Sequence, residues 1–145
     1  MDRARLQNWI VTLCRVILAA VFIFAAIGKI QRPEEFASAI AAFRILPMGL
    51  VNIAAITMPW VELLTGIAIL IPAFMQSSAL IMVAMNTAFI TAALLAIARG
   101  LDIECGCFSL SHAHEIVGWG LVARDVVLLG MCFVVYMREL LPRTR

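Results

Sequence analysis

Apolar residues are concentrated in four long stretches of the chain, separated by short segments that contain most of the polar and charged residues. A helix that crosses the hydrocarbon core of a bilayer needs about 20 mostly apolar residues. The stretches that meet this length are residues 9–28, 48–71, 77–98 and 116–137. The pattern predicts an all-α integral membrane protein, a four-transmembrane-helix bundle that forms one domain over residues 1–145.

The middle two helices are predicted from a long uncharged segment. No charged residue occurs between Glu62 and Arg99. As one helix this segment would be about 54 Å long, because an α-helix rises 1.5 Å per residue, and that is too long for a single crossing. Pro72 and the polar residues 76–78 interrupt it near its middle. We therefore predict a helical hairpin.

A short helix is predicted between the first two spans. Pro33 suits the first position of a helix, and the acidic residues Glu34 and Glu35 favour a helix N-terminus. Phe36, Ile40 and Phe43 have the spacing of one apolar stripe. We expect this helix to lie on the outer membrane surface. A simple connecting loop is the alternative.

The composition supports lipid as the solvent. The chain is 64% hydrophobic and 14% charged, with a mean hydropathy of +1.04. Soluble domains have about 45–50% apolar and about 25% charged residues. The net charge of +2 is too small to indicate a nucleic-acid partner.

The distribution of basic residues predicts the topology. Four crossings place both termini on one side, and the terminal segments contain Arg3, Arg5, Arg138, Arg143 and Arg145. The segments on the other side contain Lys29, Arg32, Arg44 and Arg99, partly offset by acids. This bias favours cytoplasmic termini in a bacterial inner (plasma) membrane. Because Arg15 interrupts the first apolar run, we interpret that run as an uncleaved anchor rather than a signal peptide.

Charged residues inside the spans are candidates for structural or functional roles, since charge is costly in a membrane. From their distances to the helix ends, Arg15 and Glu62 are expected at one depth. We predict an Arg15–Glu62 ion pair that ties the first two spans together. Lys29 and Arg124 are expected nearer the outer side, in an electropositive pocket that could tune thiols or hold a ligand. Cations that extend to the membrane interface are the alternative.

Cys105-Gly106-Cys107 is the sharpest chemical feature of the sequence. Two thiols separated by one glycine can close a small, strained disulfide ring, and strained exposed disulfides are the labile, catalytic ones. Such a ring closes almost no loop, so it would stabilise the fold little. The predicted topology puts it on the outer side, where disulfides persist. A redox role is the main interpretation, and two unpaired loop cysteines are the plain alternative.

Two histidines beside the thiols leave a metal site open. The loop reads Cys-x-Cys-x4-His-x-His with His112 and His114. Two thiolates and two imidazoles suit zinc or copper, although the spacings are tighter than those of zinc fingers. The same histidines could instead lower the pKa of a nearby thiol or only cap the last span. The remaining cysteines, Cys14 and Cys132, are expected to be buried free thiols.

Several motifs together resemble the DoxX-like superfamily. They are the run from Arg15 to Gly28-Lys29, then Pro33 and Phe36, the segments 43–47 and 59–62, Arg99-Gly100, Cys105-Gly106-Cys107-Phe108, and Trp119 with Arg124. The cysteine pair resembles the MauE branch, the methylamine-utilisation membrane proteins. Ser109 and Asp125 stand where the family more often has Gly and Asn. The His-x-His is not part of the resemblance.

The resemblance implies a four-helix membrane protein that handles disulfides beside a periplasmic thioredoxin-like partner. We therefore expect a membrane thiol–disulfide oxidoreductase, or an electron-relay subunit of one, with Cys105 and Cys107 as its reactive thiols. Its partners would be a thioredoxin-like protein or a disulfide-bearing client. A quinone between the helices is a candidate electron acceptor by analogy with other membrane disulfide enzymes. The competing class is a metal-binding or non-catalytic accessory subunit.

Overall fold

The computed structural model describes residues 3–101 and 118–140, with side chains described for residues 5–101 and 118–138. Five α-helices occupy these residues: α1 (Arg3–Gln31), α2 (Pro33–Ala42), α3 (Met48–Ala68), α4 (Met75–Ala98) and α5 (Trp119–Leu140). A single turn of 3₁₀ helix, Pro72–Phe74, separates α3 from α4. The described part of the chain contains no β-strand. The predicted all-α fold, with a short helix after the first span, is confirmed.

Four of these helices are long and apolar enough to cross a membrane, namely α1, α3, α4 and α5. Their surfaces reverse the pattern of a soluble protein. Leu13, Leu64 and Val127 are more than 60% exposed, whereas Lys29 and Asp125 are buried. Apolar residues that face outward and charges that face inward require an apolar solvent. The chain is therefore a multi-pass membrane protein.

The C-terminal ends of α3 and α4 are set by a proline and a glycine. The apolar run of α3 continues to Ile71, but the helix stops at Ala68 because Pro72 holds Ile71 in an extended conformation (φ −89°, ψ 119°). At the end of α4, Gly100 has a positive φ of 63°, and the amide of Leu101 donates to the carbonyl of Ala96. This is a Schellman motif, in which a left-handed residue satisfies the last carbonyls of a helix.

The four long helices pack in the order α1, α3, α4, α5, with α5 returning to α1. Two apolar clusters fill the interior. The larger one joins α1, α4 and α5 around Leu18, Met82 and Cys132. The smaller one joins Phe43 to Ala93 and Ala96 of α4 and to Leu121 and Val122 of α5.

Helix α2 packs on α3 and belongs to the fold. It begins with Pro33 in its first turn, followed by Glu34 and Glu35, as predicted. Its predicted stripe faces the bundle, because Phe36 and the C-capping residue Phe43 are both buried. Two of the three stripe residues therefore contact protein, and the third, Ile40, is half-buried.

Candidate intramembrane site

A cavity of about 70 Å³ lies between the two apolar clusters. All five helices contribute to its wall. Its polar lining consists of Lys29 from α1, Glu62 from α3, Asn86 from α4, and Arg124 and Asp125 from α5. Its apolar lining includes the rings of Phe22, Phe36 and Phe89 and the side chains of Met58 and Met85.

The shortest polar contact in this wall joins α1 to α3. Lys29 Nζ donates to Glu62 Oε1 at 2.6 Å and to Oε2 at 2.8 Å, and both residues are buried. The ammonium also lies 5.1 Å from the ring centroid of Phe36 on α2, a cation–π distance. A buried ion pair with short bonds to both oxygens is the arrangement that offsets part of the cost of burying charge.

The second pair is local to α5. Arg124 Nε donates to Asp125 Oδ1 at 3.2 Å, with the guanidinium half-buried and the carboxylate buried. Adjacent residues on a helix usually point in different directions. A long arginine side chain can curl back towards its neighbour, and both residues reach the same cavity.

The predicted Arg15–Glu62 ion pair was wrong. Glu62 binds Lys29, whereas Arg15 Nε and Nη2 donate to the carbonyls of Ile69 and Leu70 at 3.0 and 2.6 Å. The depth estimate assumed that α1 and α3 end at the same height. In the structure Gly66 packs against Ile23, so the N-terminal end of α3 extends well beyond the C-terminal end of α1. Arg15 is therefore level with the end of α3, where it caps carbonyls that have no partner in the helix.

Lys29 and Arg124 line one pocket, as predicted, but the pocket is not electropositive. Both side chains line the cavity together with Glu62 and Asp125. Two cations and two carboxylates give the wall no formal net charge. The site is polar and balanced.

Comparison with known proteins identifies the family. The family model described as "Methylamine utilisation protein MauE" matches residues 7–138. The chain belongs to this family. The resemblance inferred from the motifs is confirmed.

Three relatives illustrate the similarity, each named methylamine utilization protein MauE. The Paracoccus denitrificans protein is 28% identical over 131 residues, which cover 90% of this chain and 70% of the relative. The Methylophilus methylotrophus protein is 32% identical over 121 residues (83% and 64%), and the Paracoccus versutus protein 34% over 118 residues (81% and 63%). The chain spans about two thirds of the length of these MauE relatives. No solved structure matches the chain.

The thiols and imidazoles of the predicted redox or metal site, Cys105, Cys107, His112 and His114, lie outside the described residues. Within residues 3–101 and 118–140 no group of three or more His, Cys, Asp or Glu residues is arranged to hold a metal ion. Cys14 and Cys132 are free thiols that pack in the same apolar cluster of this MauE-family chain. Cys132 is fully buried and Cys14 is half-buried.

Sequence reasoning missed Asn86. This residue is buried near the middle of α4, and its amide nitrogen lies 3.9 Å from the sulfur of Cys132 while it lines the cavity. A carboxamide within an apolar span is costly unless it has polar neighbours. That cost is the signal that could have marked Asn86 as a residue of a polar site in advance.

The cavity does not fit a quinone. Pockets that hold drug-sized ligands and cofactors measure about 300–1,000 Å³. The cavity lined by the described residues has an accessible volume of about 70 Å³. We therefore assign no electron-transfer step to a quinone in this cavity.

Proposed function

We propose that this MauE-family protein is a membrane thiol–disulfide exchange subunit that serves methylamine utilisation. Cys105 and Cys107 are the exchanging pair, on the outer side of a bacterial inner membrane with both termini in the cytoplasm. Their partners are a periplasmic thioredoxin-like protein and a disulfide-bearing client. The observation that carries this proposal is the Cys-Gly-Cys sequence in a chain that belongs to the MauE family.

The exchange conserves electrons between two disulfide couples. A thiolate of a reduced partner attacks one sulfur of the Cys105–Cys107 disulfide, forms a mixed disulfide, and releases the other sulfur as a thiolate. The second partner thiolate then resolves the mixed disulfide, so two electrons pass to the pair. The reduced pair returns them to the disulfide of the other protein by the same two steps. The reduction potentials of the two partners set the direction.

The described helices support this assignment through their connection. Helices α4 and α5 pack together, and the residues near Ala96 contact Leu121 and Val122. The cysteine segment joins these two helix ends. In this proposal His112 and His114 from the same segment provide the positive charge that favours a thiolate, since Lys29 and Arg124 are matched in the cavity wall by Glu62 and Asp125.

The alternative function is metal binding by Cys105, Cys107, His112 and His114, which the Cys-x-Cys-x4-His-x-His sequence favours. The two functions predict different states of the same thiols. A redox pair cycles between dithiol and disulfide without metal. A metal site holds two thiolates that are protected from alkylation until the ion is removed.

One trapping experiment tests the proposal. Full-length Cys107→Ser and Cys105→Ser proteins, expressed in membranes with the periplasmic proteins present, should each be examined for mixed disulfides on non-reducing gels. We expect one variant to accumulate a reducible adduct that mass spectrometry identifies as a thioredoxin-fold protein or a cysteine-rich client. Cys132→Ala is the matched control and should give no adduct. No adduct from either variant, with stoichiometric zinc or copper in the wild type that is lost in His112→Ala, would replace the redox function by the metal function.

A further inference from the structure

The carboxamide of Asn86 is a buried polar group of the cavity wall that the two ion pairs do not account for. Asn86 is 7% exposed and lines the cavity near the middle of α4. Among the described residues its one hydrogen bond runs from Nδ2 to Cys132 Sγ, at 3.9 Å. Sulfur is a weak acceptor, and a carboxamide offers two N–H donors and an oxygen with two lone pairs. Most of this capacity is therefore available to a ligand in the cavity.

A carboxamide in a membrane span needs such a ligand. The hydrocarbon around the bundle supplies no donors or acceptors, and an unsatisfied polar group there is costly. The wall around Asn86 is polar on its other sides as well. Lys29 and Glu62 present one ion pair, and Arg124 and Asp125 present the other. Because each carboxylate oxygen can accept more than one hydrogen bond, a small ligand could bond to several of these groups at once.

The volume of the cavity identifies the class of ligand. A buried water needs at least about 10–15 Å³ of accessible space, and a water in the liquid occupies about 30 Å³. The cavity of about 70 Å³ therefore has room for roughly two to five waters. A lipid chain would bring methylene groups against five polar side chains, which would then lack partners. Water can donate and accept on every side of this wall.

We propose that the cavity is a binding site for a small cluster of ordered waters, with Asn86 as the residue that anchors it. One water accepts the free N–H of the Asn86 carboxamide, and another donates to its oxygen. The same cluster donates to the carboxylates of Glu62 and Asp125. These bonds add to those within the ion pairs, so they offset a further part of the cost of burying four charged groups. The site holds water only, and no bond is broken in it.

The methionines of the bundle divide into those beside the proposed waters and those in dry surroundings. Met58 on α3 and Met85 on α4 line the cavity. Met82, one turn before Met85, is fully buried in the larger apolar cluster, and Met131 on α5 packs against that cluster. Met85 and Met131 are both half-buried. The protein therefore contains its own matched comparison for the presence of water.

Hydroxyl-radical footprinting of the full-length protein in lipid nanodiscs tests the site. Brief X-ray irradiation generates radicals from water, and they oxidise the methionines beside that water, which mass spectrometry detects residue by residue. We expect Met58 and Met85 to be oxidised at least about five times faster than Met82 and Met131, because only the first two adjoin polar space large enough for water. Oxidation of Met85 at the rate of Met131 would refute the proposal.

Substitution of Asn86 tests its role as the anchor. Asn86→Leu replaces the carboxamide by an apolar group of similar size, so oxidation of Met85 should fall to the rate of Met131. The matched control is Thr87→Val, because the exposed Thr87 hydroxyl bonds only the carbonyl of Val83 in its own helix. That variant should leave the oxidation of Met85 unchanged. Undiminished oxidation of Met85 in Asn86→Leu would contradict the anchoring role.

The test does not depend on one variant or on the proposed function. If Asn86→Leu fails to fold, the comparison of methionines in the wild type still decides whether water is present. Asn86→Ser keeps a polar group at the site and should retain the oxidation of Met85. The cavity is lined by the helices, so a Cys105→Ser/Cys107→Ser protein should give the wild-type oxidation pattern even if that protein traps no partner. Loss of Met85 oxidation there would overturn the assignment of the waters to Asn86.

Discussion

Lys29 Nζ on α1 lies within 2.8 Å of both carboxylate oxygens of Glu62, which follows 33 residues later on α3. This contact joins two helices at the wall of a cavity to which each of the five described α-helices contributes. It replaces the Arg15–Glu62 pair expected from the sequence. Its energetic and chemical consequences can be tested separately.

The ion pair should show strong coupling in a double-mutant cycle. Lys29→Met alone, or Glu62→Met alone, leaves a buried charged group without this partner and should lower the free energy of unfolding by about 3–5 kcal/mol. The double variant should recover most of that loss, because two apolar side chains need no partner. Denaturation in mixed micelles, followed by circular dichroism, measures each value.

The matched control for this cycle is the exposed Arg32–Glu35 pair, with 3.4 Å between nitrogen and oxygen. Substitution of both residues by Met in the same cycle should give a coupling of at most about 0.5 kcal/mol. Equal coupling in the two cycles would mean that burial does not strengthen the Lys29–Glu62 contact.

Arg15 should stabilise the α3–α4 connection by capping. In Arg15→Lys the charge is kept but one amine must replace two donors, so one of the two bonds to the carbonyls of Ile69 and Leu70 should be lost. We expect a loss of about 1 kcal/mol and faster hydrogen exchange at residues 69–75. The control is Thr12→Ala, where an exposed hydroxyl bonds only the carbonyl of Asn8 within its own helix. Exchange that rises equally in both variants would contradict a capping role.

Gly66 should be required for the close approach of α1 and α3. A Cβ at this position would lie 3.0 Å from Cγ1 and 3.3 Å from the backbone nitrogen of Ile23. Gly66→Ala should therefore destabilise the protein by about 1–3 kcal/mol, although alanine favours a helix. Gly130→Ala on α5 is the matched control, since a Cβ there has open space, and it should be neutral or stabilising by up to about 1 kcal/mol. Stabilisation by both substitutions would show that the helices can separate at no cost.

The proposed topology should be visible in thiol labelling. In intact cells treated with a mild reductant, a membrane-impermeant maleimide should modify Cys105 and Cys107 and leave Cys14 and Cys132 unmodified. A permeant maleimide should then reach half-buried Cys14 faster than fully buried Cys132. If the impermeant reagent labelled only Cys14, the orientation would be inverted.

The sequence was sufficient to predict the four membrane-spanning helices, because a helix that crosses a bilayer requires a long stretch of apolar residues, and such stretches are visible in the sequence. It also predicted α2 from Pro33 and two acids, and the break at Pro72. The end of α3 at Ala68 was placed three residues late, since apolar character continues to Ile71 while the helix does not.

The contacts of the charged residues could not be predicted. The sequence gives the position of a residue along its own helix, but it does not give the axial offset between that helix and its neighbour. The offset of α3 against α1 depends on which surfaces fit, and the close packing of Gly66 on Ile23 sets it. The same offset brings Glu62 within reach of Lys29 and leaves Arg15 at the helix end. Asp125 lies on the buried stripe of α5 with Leu121 and Leu128, whereas Arg124 reaches the cavity through the conformation of its long side chain, which helical periodicity does not specify.

The contacts of Arg15 also bear on how the chain enters the membrane. The carbonyls that accept its hydrogen bonds are 54 and 55 residues further along the sequence. During synthesis α1 is made first and meets the bilayer with an arginine that has no acceptor, at a cost of about 2.5–3.5 kcal/mol near the centre of a span. The cost of α1 in lipid therefore falls once the end of α3 has been made and supplies these carbonyls. The contact links the first helix to a segment that is synthesised after it.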